Sequence, residues 1–203
     1  MNRYRYLILL LFTVAIFSCK QKTSSSSAAT EQVPDSTQAD TTQVVAKDQL
    51  IIPGKSIGHI LLNEPTDSVI KVLGKPDKQD AAMGSVLMTW YAGHDTSGYE
   101  TSVFAHHNMG GNDEAIAHIT KIMVTSPVFK TADSISVGDK LTDIEKYYPL
   151  KKLKTYQVKG KPVDVYTAAD KGISFEIDTA TKECKSIVVH NAGGSPSAYI
   201  NMH

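Results

Sequence analysis

Residues 66–76 read TDSVIKVLGKP, and residues 142–149 read TDIEKYYP. Val69, Val72 and Leu73 in the first stretch form an i, i+3, i+4 triplet, as do Ile144, Tyr147 and Tyr148 in the second. That spacing places three apolar side chains on one face of a helix. Thr66 or Asp67, and Thr142 or Asp143, are suited to accept hydrogen bonds from the free N–H groups at a helix start. Gly74 followed by Pro76 stops the first helix, and Pro149 stops the second. Similar segments precede them, Lys55-Ser56-Ile57-Gly58 and Ile135-Ser136-Val137-Gly138. The chain therefore reads as one unit used twice.

Strand-like runs follow each helix: 86–92, 101–107 and 117–125 after the first, then 153–158, 163–167, 172–178 and 185–190 after the second. The halves correspond as Trp90-Tyr91 with Val165-Tyr166, Ser102-Val103-Phe104 with Ile173-Ser174-Phe175, and residues 120–124 with 184–188. Ile173, Phe175 and Ile177 alternate with Ser174, Glu176 and Asp178, which predicts a strand buried on one face. Asp178-Thr179-Ala180-Thr181-Lys182 is a polar hairpin turn. The expected fold is α+β, with short helices packed on an antiparallel sheet as two tandem helix-plus-meander units. The expected divisions are residues 49–130, residues 131–192, and an irregular tail at 193–203.

The N-terminus is of a different kind. Arg3 and Arg5 precede an apolar run from Leu7 to Phe17, and Ser18-Cys19 follows. Positive head, apolar core and small residue are the parts of a secretory signal. The run would span only roughly 16 Å as a helix, against about 30 Å of hydrocarbon. Residues 1–18 are thus expected to be a cleaved signal peptide. Residues 20–48 are rich in Ser, Thr, Gln, Ala and Asp and hold no aromatic residue. Such a segment buries too little apolar surface to offset its ordering entropy. With Cys19, it is expected to form a disordered tether of roughly 30 Å mean span.

Ile16-Phe17-Ser18-Cys19 resembles the lipobox of bacterial lipoproteins. The resemblance implies acylation of Cys19, whose thiolate is readily alkylated, and anchorage to membrane lipid through several acyl chains. Inner-membrane retention signals resemble an Asp directly after the Cys. Lys20-Gln21-Lys22 stands there instead, which points to the periplasmic face of the outer membrane. Leu73-Gly74-Lys75-Pro76-Asp77, closing a helix before a meander, resembles the small SmpA/OmlA-type lipoproteins. Doubled, the unit resembles the tandem-repeat beta-lactamase inhibitory protein fold. These likenesses imply a protein-binding role and carry over no binding residues.

The 203-residue chain has 21 basic and 21 acidic residues, and losing residues 1–18 removes two arginines and leaves about −2. No basic patch is interleaved with aromatics, so nucleic acid is not an expected partner. With Cys19 acylated, Cys184 has no disulfide partner, and no His or Asn is placed to activate it.

His94, His106, His107, His118 and His190, with Asp95, Asp113 and Glu114 nearby, are the only candidates for chemistry. Adjacent His106 and His107 point to opposite faces of a strand. If Phe104 corresponds to Phe175 and Met123 to Ile187, all four are core. His106 then shares the Phe104 face, and His118 lies away from Met123. A tetrahedral metal site needs three or four converging ligands, so no metal or other cofactor is expected. Residues 109–113 lack the pattern of a phosphate or calcium loop, and no Gly-x-Ser-x-Gly motif occurs. Tyr147, Tyr148, Tyr156 and Tyr166 are candidate contact residues, since Tyr is favoured at interfaces. The expected function is a non-enzymatic envelope lipoprotein, a binding or assembly module with an envelope protein partner. A histidine-metal hydrolase and a carrier of small ligands or lipid are the alternatives.

Overall fold

The computed structural model describes residues 45–194 and 201–203. The expected signal peptide, Cys19 and the expected tether up to residue 44 lie outside the described residues, as do residues 195–200. After a short 3-10 turn at Lys47–Gln49 come β1 (Leu50–Ile52), β2 (Ser56–Ile57), β3 (Ile60–Leu61) and α1 (Thr66–Leu73). β4 (Lys78–Ala82), β5 (Ser85–Tyr91), β6 (Glu100–His107) and β7 (Ala117–Val124) follow. Then come β8 (Lys130–Thr131), α2 (Leu141–Ile144), β9 (Lys151–Val158), β10 (Lys161–Ala168), β11 (Ile173–Asp178) and β12 (Cys184–His190).

This architecture corrects the expected α+β class. The described residues are predominantly β, with twelve strands in a four-stranded and an eight-stranded sheet. α1 has eight residues and α2 only four. The stretch 142–149 fails to extend as a helix for physical reasons. Ile144, Tyr147 and Tyr148 have modest helix propensity, and Pro149 pushes Tyr148 out of the helical region. Lys146 N–H and Tyr147 N–H already bond back three residues, to Asp143 and Ile144. Of the first apolar triplet only Val69 is buried, while Val72 and Leu73 are exposed. The helix starts also differ. Pro65 and Lys140 flank the first turns, without side-chain capping bonds.

The eight-stranded sheet has the order β4-β5-β6-β7-β12-β11-β10-β9. It is two four-stranded meanders joined edge to edge through the antiparallel pair β7 and β12. Seven of its strands coincide closely with the runs read from alternation. β4, residues KQDAA, is wholly exposed and carries no apolar period to find. The four-stranded sheet has the order β3-β2-β1-β8, and its strands are two or three residues long.

One face of the large sheet is closed by the small sheet and the helices. Ile51, Ile57, Ile60, Val69, Ile144 and Tyr148 pack there against Met88, Trp90, Val103, Ile122, Phe175, Ile187 and Val189. Trp90 Nε1 donates to the Gly74 carbonyl at 3.0 Å, which ties the end of α1 to β5. Gly54 and Gly172 touch where the small sheet meets β11. Gly172 has φ of +72°, and a Cβ there would lie within 2.6 Å of the Gly54 Cα. Only glycine meets both demands.

Candidate functional site

The opposite face of the eight-stranded sheet differs. Cross-strand register fixes which residues share it. One transverse row runs Lys78, Thr89, Ser102, Met123, Val188, Ser174, Thr167, Lys151 across all eight strands. The flanking positions carry Tyr91 paired with Glu100, and Ser186 with Glu176, Val165 and Lys154. On the other side of the row, Phe104, Lys121 and His190 are paired in turn.

Two glutamates are buried here. Glu100 is 4% exposed and Glu176 is 1% exposed. Hydroxyls of the sheet itself hold them. Ser102 Oγ donates to Glu100 Oε1 at 2.8 Å, and Ser186 Oγ donates to Glu176 Oε2. Because the Ser102 proton goes to Glu100, the Thr89 hydroxyl donates to Ser102, at 2.9 Å. The Glu100 N–H donates to Thr125 Oγ1 at 2.7 Å.

His203 lies between the two carboxylates. Its Nδ1 is 3.3 Å from Glu100 Oε2 and its Nε2 is 2.6 Å from Glu176 Oε2. Ionised carboxylates only accept, so both ring nitrogens donate and the ring is an imidazolium. Burial opposes that charge. The hydrogen bonds and negative charge of Glu100 and Glu176 outweigh it and push His203 up to about 9. Beside it, Met202 is fully buried against Met123, Val165 and Val188, with Leu87, Phe104, Leu153 and Tyr156 around the edge. An open cleft of about 450 Å³ adjoins this cluster, with Glu100, Glu176 and His203 in its wall. Lys159, Lys161, Asp178 and Lys185 also line it.

Farther along the face, His190 Nε2 is 3.0 Å from Ser174 Oγ, and Ser174 Oγ is 2.8 Å from Thr167 Oγ1. Burial, reinforced by the Lys121 charge and partly opposed by the Asn191 carbonyl, holds His190 below its usual range. Burial likewise pushes the Cys184 thiol far above its ordinary value. It is no nucleophile there.

The structure disperses the residues singled out in the sequence. Tyr148 is in the closed core, 5.3 Å from the Phe175 ring centroid, and Tyr166 packs at the edge of that core. Tyr147 is exposed, and Tyr156 lies on the second face. The four do not form one surface. Among the histidines, His94 contacts Asp77 at 2.7 Å, His106 contacts Ser85 at 2.9 Å, and His118 contacts Asp113 at 3.0 Å. His107 Nδ1 is 2.7 Å from the Glu114 carbonyl, and Asp95 accepts from the Ser97 N–H. Among the described residues, no group of three or more His, Cys, Asp and Glu side chains is arranged to hold a metal.

Two expectations about faces are corrected. A bulge between Phe104 and Ala105 shifts the register and makes His106 and His118 direct cross-strand partners. Phe104 and Met123 belong to the second face, whereas Phe175 and Ile187 belong to the closed core. The two halves therefore correspond one residue away from the expected register, and in a strand one residue is the whole difference between faces. β11 is buried on both faces, not one. Ser174 and Glu176 are each 1% exposed. Glu100, Glu176, Ser102, Ser186, Met202 and His203 were all missed as a group. Their trace in the sequence is Ser or Thr at strand positions that solvent-facing Lys or Glu would ordinarily fill. Residues 201–203 carry no helix or strand, and Met202 is nonetheless fully buried in the domain.

No family model matches the chain, and no curated protein sequence does. Among solved structures, it is similar to an extracellular protein containing an SCP domain from Bacillus anthracis, at 11% identity and a TM-score of 0.43. That likeness covers 64% of this chain, which spans 44% of the Bacillus protein. It is also similar to the uncharacterized protein YfeY from Escherichia coli, at 13% identity and a TM-score of 0.36. Here 69% of this chain and 99% of the other are covered. At these scores neither likeness carries an argument.

Proposed function

We propose that this protein is an envelope lipoprotein anchored through Cys19, a non-enzymatic module that binds a protein partner across the second face of its eight-stranded sheet. The observation that carries the reading is the state of that face. Buried glutamates and an apolar patch stand ready on rigid strands, and two residues from far along the chain cover them. A rigid sheet presenting an apolar centre with satisfied polar groups around it matches the anatomy of a recognition surface. The signal, the lipobox likeness and the tether support a location at the membrane, on the periplasmic side of the outer membrane. The extracellular Bacillus protein is compatible with a place in the envelope or beyond and adds no weight to it.

The test is photo-cross-linking in living cells from a probe at Tyr156, at the edge of the second face, against a probe at Met83, an exposed tip residue. The expected result is one or a few envelope proteins trapped from position 156 and none in common from position 83. Equal capture from both positions, or none from 156 in a folded protein, overturns the proposal.

A further inference from the structure

We infer that the Glu100–Glu176 pair, with the apolar seat of Met123, Val165 and Val188, is a recognition site for a polypeptide segment bearing an apolar side chain beside a single cationic one. Residues 202 and 203 fill it in cis. The inference deepens the proposed protein-binding role and rests on it.

The site is built without its occupant. Ser102 on β6 and Ser186 on β12 donate to the two carboxylates from the sheet side, and Thr89 on β5 backs Ser102. Beside the row, Glu100 and Glu176 sit on β6 and β11, with β7 and β12 between them. Three strand spacings separate their backbones by roughly 14 Å, so the two long side chains converge inward on one point. Two buried carboxylates facing one point are unfavourable without a cation between them. An imidazolium fits because its two N–H groups point in different directions, and each meets one carboxylate. A guanidinium has the same capacity, with more donors in a rigid plane.

The occupant also defines what sits next to the cation. Met202 is completely buried on a patch of Met, Val and Val, which suits a flexible unbranched side chain. The walls set a limit on charge. Lys159, Lys161 and Lys185 line the adjoining cleft, with Asp178 the other carboxylate in it beside Glu100 and Glu176. Lys185 is engaged with Glu183 at 3.2 Å. The floor thus takes one cation, while the rim opposes a run of them.

The covering is small enough to exchange. Among the described residues, the side-chain contacts that seat 202 and 203 on the sheet are one apolar side chain and one ring. A tethered ligand competes at an effective concentration of about millimolar order. A partner segment that makes the same two contacts and adds others across the sheet displaces it.

The experiment uses the full chain in detergent micelles and fluorescein-labelled peptides of sequence Ser-Asn-Met-His-Ser, with Arg or Gln in place of the His. Anisotropy titrations are run on the wild type, on a chain lacking residues 201–203, and on the chain carrying M202S and H203Q. The second variant keeps the backbone complete should the deletion fail to fold. The expected result is saturable binding to the emptied variants, with His at pH 6 and Arg at pH 7 at least about tenfold tighter than Gln. Wild type binds at least about tenfold more weakly than either variant. Adding Glu176→Gln to the emptied chain removes the preference for the cationic peptides. No binding to either emptied variant, or equal binding of the Gln peptide, overturns the inference. Cross-linking in cells separates the two proposals. Partner capture from position 156 that survives Glu100→Gln with Glu176→Gln leaves the binding face standing and removes the cationic site. Loss of wild-type capture with the peptide preference intact does the reverse.

Discussion

The two faces of the same eight-stranded sheet are closed in different ways. On one, isoleucines, Phe175 and Trp90 meet the small sheet and both helices, all supplied by chain segments that lead directly into the strands. On the other, small hydroxyl residues and two glutamates are shielded by Met202 and His203. Apolar closure is non-directional and spread over many side chains. Polar closure depends on a few directed bonds, and each unmade bond leaves a buried group unsatisfied. The first face therefore carries the stability of the domain, and the second carries its specificity. Among the described residues the second face is covered by one methionine and one ring, which makes it the face that can be opened.

Truncation tests the contrast most strongly. Phe175→Ala removes a fully buried ring from the first face and is expected to cost about 3–5 kcal/mol of unfolding free energy. Val188→Ala, on the second face of the neighbouring strand β12, is expected to cost less, because it removes fewer atoms and Met202 can settle into the space. Denaturant unfolding of both variants measures the difference, and equal losses would erase the distinction.

A smaller effect lies in pH. The folded value of His203 is raised from its ordinary 6.5 to about 9, so its contribution is complete below about 6.5 and lost as pH rises through about 9. The stability difference between wild type and His203→Gln should shrink by on the order of 3 kcal/mol at most over that window. A difference that stays flat from pH 6 to pH 10 would show that the ring does not bridge the two carboxylates as a cation.

A last contrast separates two neighbouring tyrosines, one of which should have almost no effect. Tyr147 is exposed, so Tyr147→Ala should leave stability within about 0.5 kcal/mol. Tyr148 is buried against Phe175, and Tyr148→Ala should fall in the same range as the other core truncations. Thermal unfolding of the pair distinguishes them.

By itself, the sequence determined where most strands run. Alternation is a local property with a period of two residues, and 173–178 shows it plainly. It also determined that Cys184 would have no disulfide partner once Cys19 is set apart, and where an apolar run gives way to a polar, aromatic-free segment. It did not determine the class of the fold, because a four-residue helical turn ahead of Pro149 looks like a longer helix until tertiary packing decides how far it extends. Nor did it determine the faces. The bulge at Phe104 and Ala105 is one residue long, and it reverses the relation of every side chain beyond it. The buried glutamates lay furthest from reach. Glu100 and His203 are 103 residues apart and Glu176 and His203 are 27 apart. Their burial exists only because β7 pairs with β12 and brings two distant meanders, and then the end of the described chain, onto one surface.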